Sequence, residues 1–262
     1  MRNVLAIAPQ WATLTGAVGA LSAGSALRRS TLAMRFSVVI FDLNGTLVDT
    51  LGDLADALNE QLWSMGRPTL TADQVRQWPG ENLRAILKGA LAVTGAVPTD
   101  LEINQLLHEF RDRYQDRLGA RAAVYPGTIE TLGRLQSAGV HLALLTNKPL
   151  VPSLRLLQQM EMSKYFAYML AGDGDLPRKP DPTGLLELME SCGGDLDHTL
   201  MVGSSRIDLE TARNAGVRVA LVNTDHSHGV HGMGADYVLD EMERLPHLVL
   251  GGRPSGIMPF ME

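Results

Sequence analysis

Short continuous apolar runs separated by amphipathic stretches organise most of this chain. SVVIF at 37–41, HLALL at 141–145, FAYML at 166–170, TLMV at 199–202, VRVALV at 217–222 and YVL at 237–239 are largely continuous apolar runs rather than alternating ones. That pattern predicts strands buried on both faces, as in a parallel sheet. Between them, residues 127–138, 150–161, 181–192 and 206–215 carry apolar positions three and four apart, the spacing of an amphipathic helix. Gly193 and Gly216 follow two of these segments as stop signals. The alternation predicts an α/β fold, a doubly wound parallel sheet covered by helices on both sides.

The interval 51–124 interrupts this alternation. It contains no convincing strand, while Leu54, Leu58 and Leu62 form one helical stripe and Leu106, Phe110 and Tyr114 another. So long a helical stretch exceeds an ordinary crossover and predicts an inserted all-helical cap. Its hinges are expected near residues 50–53 and 121–126, where VYPG supplies turn chemistry. The α/β core then comprises 36–50 and 125–250, and the tail 251–262 reads as a flexible end.

Residues 1–35 differ from the rest. No charge occurs from Asn3 to Leu27, and Ala, Gly, Leu and Thr dominate, with arginines at positions 2, 28, 29 and 35. The segment is expected to be a disordered extension or a targeting-like segment, too rich in Gly, Ser and Thr for a membrane span. Met34, just before the first strand, is an alternative start. A cytoplasmic location is expected, or an organellar or exported one if the extension directs targeting.

At 262 residues with 45% hydrophobic residues and a net charge of −6, the chain can bury a sizeable core and has no basic surplus. A nucleic-acid surface is therefore not expected, nor a membrane contact by the folded part. The single cysteine, Cys192, excludes an internal disulfide and reads as a passive thiol.

In doubly wound sheets, ligands gather at the carboxyl ends of the strands. Four polar clusters fall there: Asp42 and Asn44; Thr146, Asn147 and Lys148; RKPDP at 178–182; and GSSRID at 203–208. Each alone would pass for a turn or a helix cap, but four at matching strand ends point to one site. Chemically they form a phosphoryl-transfer set. Asp42 is the candidate carboxylate nucleophile. Gly45 opens a turn toward an anion, Thr146 and Asn147 are candidate donors to phosphate oxygens, and Lys179 supplies a compact positive charge. Asp208 is placed to hold a divalent cation.

The stretches FDLNGTLVDT, DLADALNEQL, YPGTIETLGRL, LLTNKP, AGDGDLPRKPDPTGLL and MVGSSRIDLETARNAGV, with the spacers between them, resemble the haloacid dehalogenase superfamily. The resemblance runs from residue 36 to about 249 and is strongest to the phosphoglycolate phosphatase branch with a helical cap. It implies that Asp42 attacks phosphorus and that a second aspartate two residues on handles the proton. It also implies that Gly45, Thr46, Thr146, Asn147 and Lys179 meet the substrate. Mg²⁺ is expected on Asp42, the backbone carbonyl of residue 44, residue 204 and Asp208. The implied partner is a small phosphorylated metabolite, and the oligomeric state is left open.

Two positions depart from that pattern: Asn44 and Ser204 stand where aspartates are expected. An amide cannot exchange a proton near neutral pH. General acid–base help is worth roughly 10² to 10⁴ in rate, and Ser204 removes a hard anionic metal ligand. The expected result is a weak or inactive phosphomonoesterase with weakened Mg²⁺ binding. One alternative is a non-catalytic binding or regulatory pseudophosphatase. A second is a metal-independent 2-haloacid dehalogenase-like hydrolase, whose Ser-Ser-Asn-x-x-Asp motif GSSRID partly echoes.

Lesser features carry weaker expectations. His226, His228 and His231 could hold a metal but read as a solvated loop; Asp49 and Asp53 read as caps of the first cap helix. Asp173 and Asp175 fit either a turn or the vicinity of a metal, and QWPGEN at 77–82 falls where a substrate-contacting cap loop is expected. Asn44-Gly45 is a dipeptide prone to deamidation, which would restore a carboxylate at position 44.

Overall fold

The structure is a computed structural model that describes residues 5–6, 34–78, 83–224 and 229–251. Its centre is a seven-stranded sheet. The strands are β1 (Leu5–Ala6), β2 (Val38–Phe41), β5 (His141–Leu145), β6 (Tyr168–Leu170), β7 (Thr199–Gly203), β8 (Arg218–Val222) and β9 (Tyr237–Leu239), in the order β1-β6-β5-β2-β7-β8-β9. All neighbours pair in parallel except β1, which runs antiparallel to β6. Every residue of β2 is buried, which is why its sequence shows no alternation. Val39 and Phe41 enter the core on one face of the sheet, Val38 and Ile40 the core on the other.

Helices α5 (Thr128–Ser137), α6 (Leu150–Gln159), α7 (Thr183–Ser191), α8 (Arg206–Ala215) and α9 (Leu245–Val249) flank the sheet. The first four lie within or close to the predicted segments. Gly216 ends α8 at φ 71°, a left-handed conformation that glycine adopts without strain. The fifth was not predicted; Val249 at its end accepts the backbone N–H groups of Arg35 and Phe36.

The interval between the first two core motifs holds α1 (Leu51–Ser64), α2 (Ala72–Arg76), α3 (Leu83–Thr94) and α4 (Asp100–Arg117). Capping boxes start two of them, Thr71 with Gln74 on α2 and Thr99 with Glu102 on α4. Where the interval meets the sheet, β3 (Val48–Asp49) pairs antiparallel with β4 (Ala123–Val124). This ribbon was not predicted, because two-residue strands are shorter than any readable period. Asp53 also departs from expectation. It is fully buried and accepts the N–H groups of Gly119 and Arg121 at 2.8 and 2.7 Å, tying the outgoing helix to the returning chain. Asp49 does serve the start of α1, accepting the N–H of Leu51 at 2.7 Å.

Of the N-terminal extension, only Leu5–Ala6 and residues 34–35 are described. Leu5 and Ala6 pair with Met169 and Tyr168 as an edge strand. The tail beyond residue 251 lies outside the described residues, as do Pro79–Asn82 of the QWPGEN loop, and His226 and His228. Among the described residues no helix is long and apolar enough to cross a membrane.

Candidate active site

Sheet register assembles the site. Phe41 lies opposite Leu144 on one side and Val202 on the other, so the residues leaving these three strands emerge together at one edge. Asp42 leaves β2, with its N–H bonded to Val202, Thr146 leaves β5 and Ser204 leaves β7. Lys179, from the loop after β6, completes the group.

Lys179 is the hub. Its Nζ lies 2.8 Å from Asp42 Oδ1 and 2.5 Å from Asp208 Oδ1, and it is only 7% exposed. The second oxygen of Asp42 accepts the Thr46 hydroxyl at 3.3 Å; that hydroxyl also lies 3.1 Å from Ser204 Oγ. The second oxygen of Asp208 accepts the N–H groups of Ser204 and Ser205 and the Ser205 hydroxyl, at 3.1, 3.2 and 2.7 Å. Asp208 is thus both the capping-box partner of Ser205 at the start of α8 and a member of the site. Burial pushes the Asp42 carboxyl up to about 6, against the pull of Lys179 and with the help of Asp208. Burial would lower the Lys179 ammonium, but Asp208 and Asp42 outweigh it and hold the group above its ordinary range.

Asn147 does not use its side chain as expected. Its Oδ1 accepts the Lys179 N–H and its Nδ2 donates to the Lys179 carbonyl, both at 2.9 Å, so the amide holds the Lys179 backbone. Thr146 lines the cleft. Its hydroxyl accepts the Lys148 N–H at 3.2 Å, which leaves the hydroxyl proton to donate into the cleft it lines. Gly45 takes φ 82° and lines the cleft, but its own N–H is bonded to Val48 at 2.8 Å. Thr46 is fully buried beneath the carboxylates rather than at the cleft surface.

Asn44 points its amide at the cap hinge. Nδ2 donates to Thr50 Oγ1 at 3.1 Å, and Thr50 Oγ1 lies 3.0 Å from the Tyr114 hydroxyl. Asn44 Oδ1 is sealed from solvent without a hydrogen-bond partner. Tyr114 reaches the core a second time, its ring lying 4.5 Å from Lys148 Nζ. Thr50 and Tyr114 were missed as site residues because one fell in a hinge and the other in an apolar stripe. These side chains open onto a cleft of about 550 Å³ between sheet edge and cap helices, with Arg84 and Arg111 from the cap and Lys148 and Arg178 from the core on its wall.

The remaining candidates fall away from the centre. Asp173 accepts the N–H of Leu150 at 2.8 Å, a contact across 23 residues to the start of α6 that is neither a turn nor part of the site. His231 lies 3.0 Å from Asp240. Cys192 is buried, and desolvation pushes its thiol up to about 11, as suits a passive thiol.

An aspartate leaving β2, a lysine after β6, a capped aspartate after β7 and a helical insertion are the arrangement that the resemblance to haloacid dehalogenase-like hydrolases implies. The model of that family matches residues 39–222, and the chain belongs to it. Within the family it is phosphoglycolate phosphatase-like. It is 40% identical over 196 residues to phosphoglycolate phosphatase 1 of Pseudomonas aeruginosa, covering 73% of this chain and 71% of that one. It is 37% identical over 180 residues to the phosphoglycolate phosphatase of Agrobacterium fabrum, covering 69% and 77%. The solved structure described as a predicted phosphoglycolate phosphatase from Haemophilus somnus superposes with a TM-score of 0.72 at 26% identity, covering 82% of this chain and 99% of that one.

Phosphatases of this family generally use Mg²⁺, and the donor set here does not fit that ion. Mg²⁺ requires near-octahedral oxygen ligands, one or two of them carboxylates. Of the three carboxylates that the resemblance places on the ion only Asp42 and Asp208 are present, and they already share the Lys179 ammonium. Ser204 offers only a neutral hydroxyl, engaged by Thr46. Among the described residues no group of three or more His, Cys, Asp or Glu side chains converges on a common point.

Proposed function

We propose that this protein holds a small phosphate monoester, of the kind represented by 2-phosphoglycolate, in the cleft above Asp42 and turns it over slowly or not at all. Asn44 carries this reading. Hydrolysis through Asp42 requires the carboxylate to attack phosphorus while the departing oxygen gains a proton, after which water must lose a proton to attack the phosphorus of the aspartyl-phosphate. Asn44 can do neither, and its Nδ2 is bonded to Thr50. The leaving oxygen must then draw its proton from water, at a cost of roughly 10² to 10⁴ in rate. Binding groups survive: the Thr146 hydroxyl, Lys179 held by Asn147, and the cationic wall of the cleft.

The test combines two measurements on one sample: thermal stabilisation by 2-phosphoglycolate and release of inorganic phosphate. Stabilisation with phosphate release at least about 10²-fold slower than an active relative supports the proposal. Release at the relative's rate would overturn it, as would the absence of stabilisation by any small phosphomonoester.

A further inference from the structure

We infer that the cleft takes a phosphate group without a divalent cation, because neutral side chains at Asn44 and Ser204 leave Lys179 facing only two carboxylates. This rests on the proposed phosphate-binding function and adds to it how the site balances its charge. At the floor of the cleft, Asp42 and Asp208 contribute two negative charges and Lys179 one positive charge, all three nearly or fully buried. Asn44 and Ser204, beside them, are neutral. Carboxylates at those two positions would take the floor from −1 to −3, and a divalent cation would return it to −1. With Asn44 and Ser204 neutral, the floor reaches by itself the charge that a four-carboxylate floor reaches only with a divalent ion.

The surroundings agree. Beyond the floor, four cationic side chains line the cleft, Arg84, Arg111, Lys148 and Arg178, of which Arg84 also pairs with Asp100. A phosphate dianion therefore meets net positive charge without an added ion. A Mg²⁺ ion would find Asp42 and Asp208 already sharing one ammonium and a neutral hydroxyl at Ser204, so it has little uncompensated negative charge to meet.

Calorimetric titration with inorganic phosphate tests the inference, on the parent chain and on the Asn44→Asp/Ser204→Asp double variant, each in chelator and in Mg²⁺. The parent is expected to bind in chelator, with an affinity that Mg²⁺ changes by less than about twofold. The double variant is expected to lose about tenfold or more in chelator and to recover it with Mg²⁺. Parent binding that appears only with Mg²⁺ leaves the phosphate-binding proposal standing and overturns this inference. A double variant indifferent to Mg²⁺ overturns it as well. If neither chain binds phosphate in either condition, the phosphate-binding proposal itself falls, and the inference with it.

Discussion

Replacing Lys179 by methionine removes the one cation between Asp42 and Asp208 while roughly conserving the length of the side chain. The lysine side chain is 4% exposed and contacts both carboxylates, so the variant leaves two negative charges facing each other in a poorly solvated floor. Removing one partner of a buried ion pair costs roughly 3–5 kcal/mol. For a chain of this size that corresponds to a fall in melting temperature of roughly 6–20 °C. The cost should depend on pH in a definite direction. Asp42 already titrates at about 6 and titrates higher still without the ammonium, so at pH 5 it is neutral and the repulsion is gone. Urea denaturation at pH 7 and pH 5 should therefore show a loss that shrinks by about 1 kcal/mol or more at the lower pH. Adding Asp42→Asn to Lys179→Met should recover part of the loss at pH 7. A loss below about 1 kcal/mol at pH 7, or an equal loss at both pH values, would refute the charge-balanced floor.

Three further outcomes are expected. In the parent, the folded pKa of Asp42 lies above its ordinary 3.8, so the folded state binds this proton more tightly than the unfolded chain. The stability contributed by Asp42 is present below 3.8 and is lost as pH rises through about 6; denaturation at pH 4 and pH 7 should show the parent gaining on Asp42→Asn at the lower pH. Asp53→Ala leaves the N–H groups of Gly119 and Arg121 without their buried acceptor and should cost about 2–4 kcal/mol by chemical denaturation, whereas a surface-like effect below about 0.5 kcal/mol would contradict the hinge role. Asn44-Gly45 should resist deamidation while folded, because the Gly45 N–H that would attack the amide is bonded to Val48 and the amide to Thr50. Intact mass should stay constant in folded samples and drift toward the acid only in unfolded ones.

The fold was legible because parallel strands buried on both faces write themselves as unbroken apolar runs, and Asp42, Thr146, Lys179 and Ser204 stand at the ends of such runs or in the loop just beyond. Uses of side chains that depend on distant partners were not legible. Asp53 stands in the first turn of a helix, where an acidic residue reads as a cap; its acceptors' partners come 66 and 68 positions later. Asn147 reads as a phosphate donor from its strand-end position, yet the residue it grips lies 32 positions away. Tyr114 repeats at helical spacing with Phe110, and nothing in that period distinguishes a core ring from one whose hydroxyl reaches Thr50. Two-residue elements such as β1 and β3 are too short to carry any period.

Restoring carboxylates at Asn44 and Ser204 tests directly whether those two residues silence the site. The measurement is kcat/KM for 2-phosphoglycolate in the Asn44→Asp/Ser204→Asp variant with Mg²⁺, beside the parent chain under the same conditions. A gain of roughly 10² to 10⁴ is predicted, since the restored acid–base group alone is worth that much. A folded double variant with no gain on 2-phosphoglycolate or any other small phosphomonoester would contradict the claim that this is a phosphatase scaffold whose chemistry was removed at those two residues.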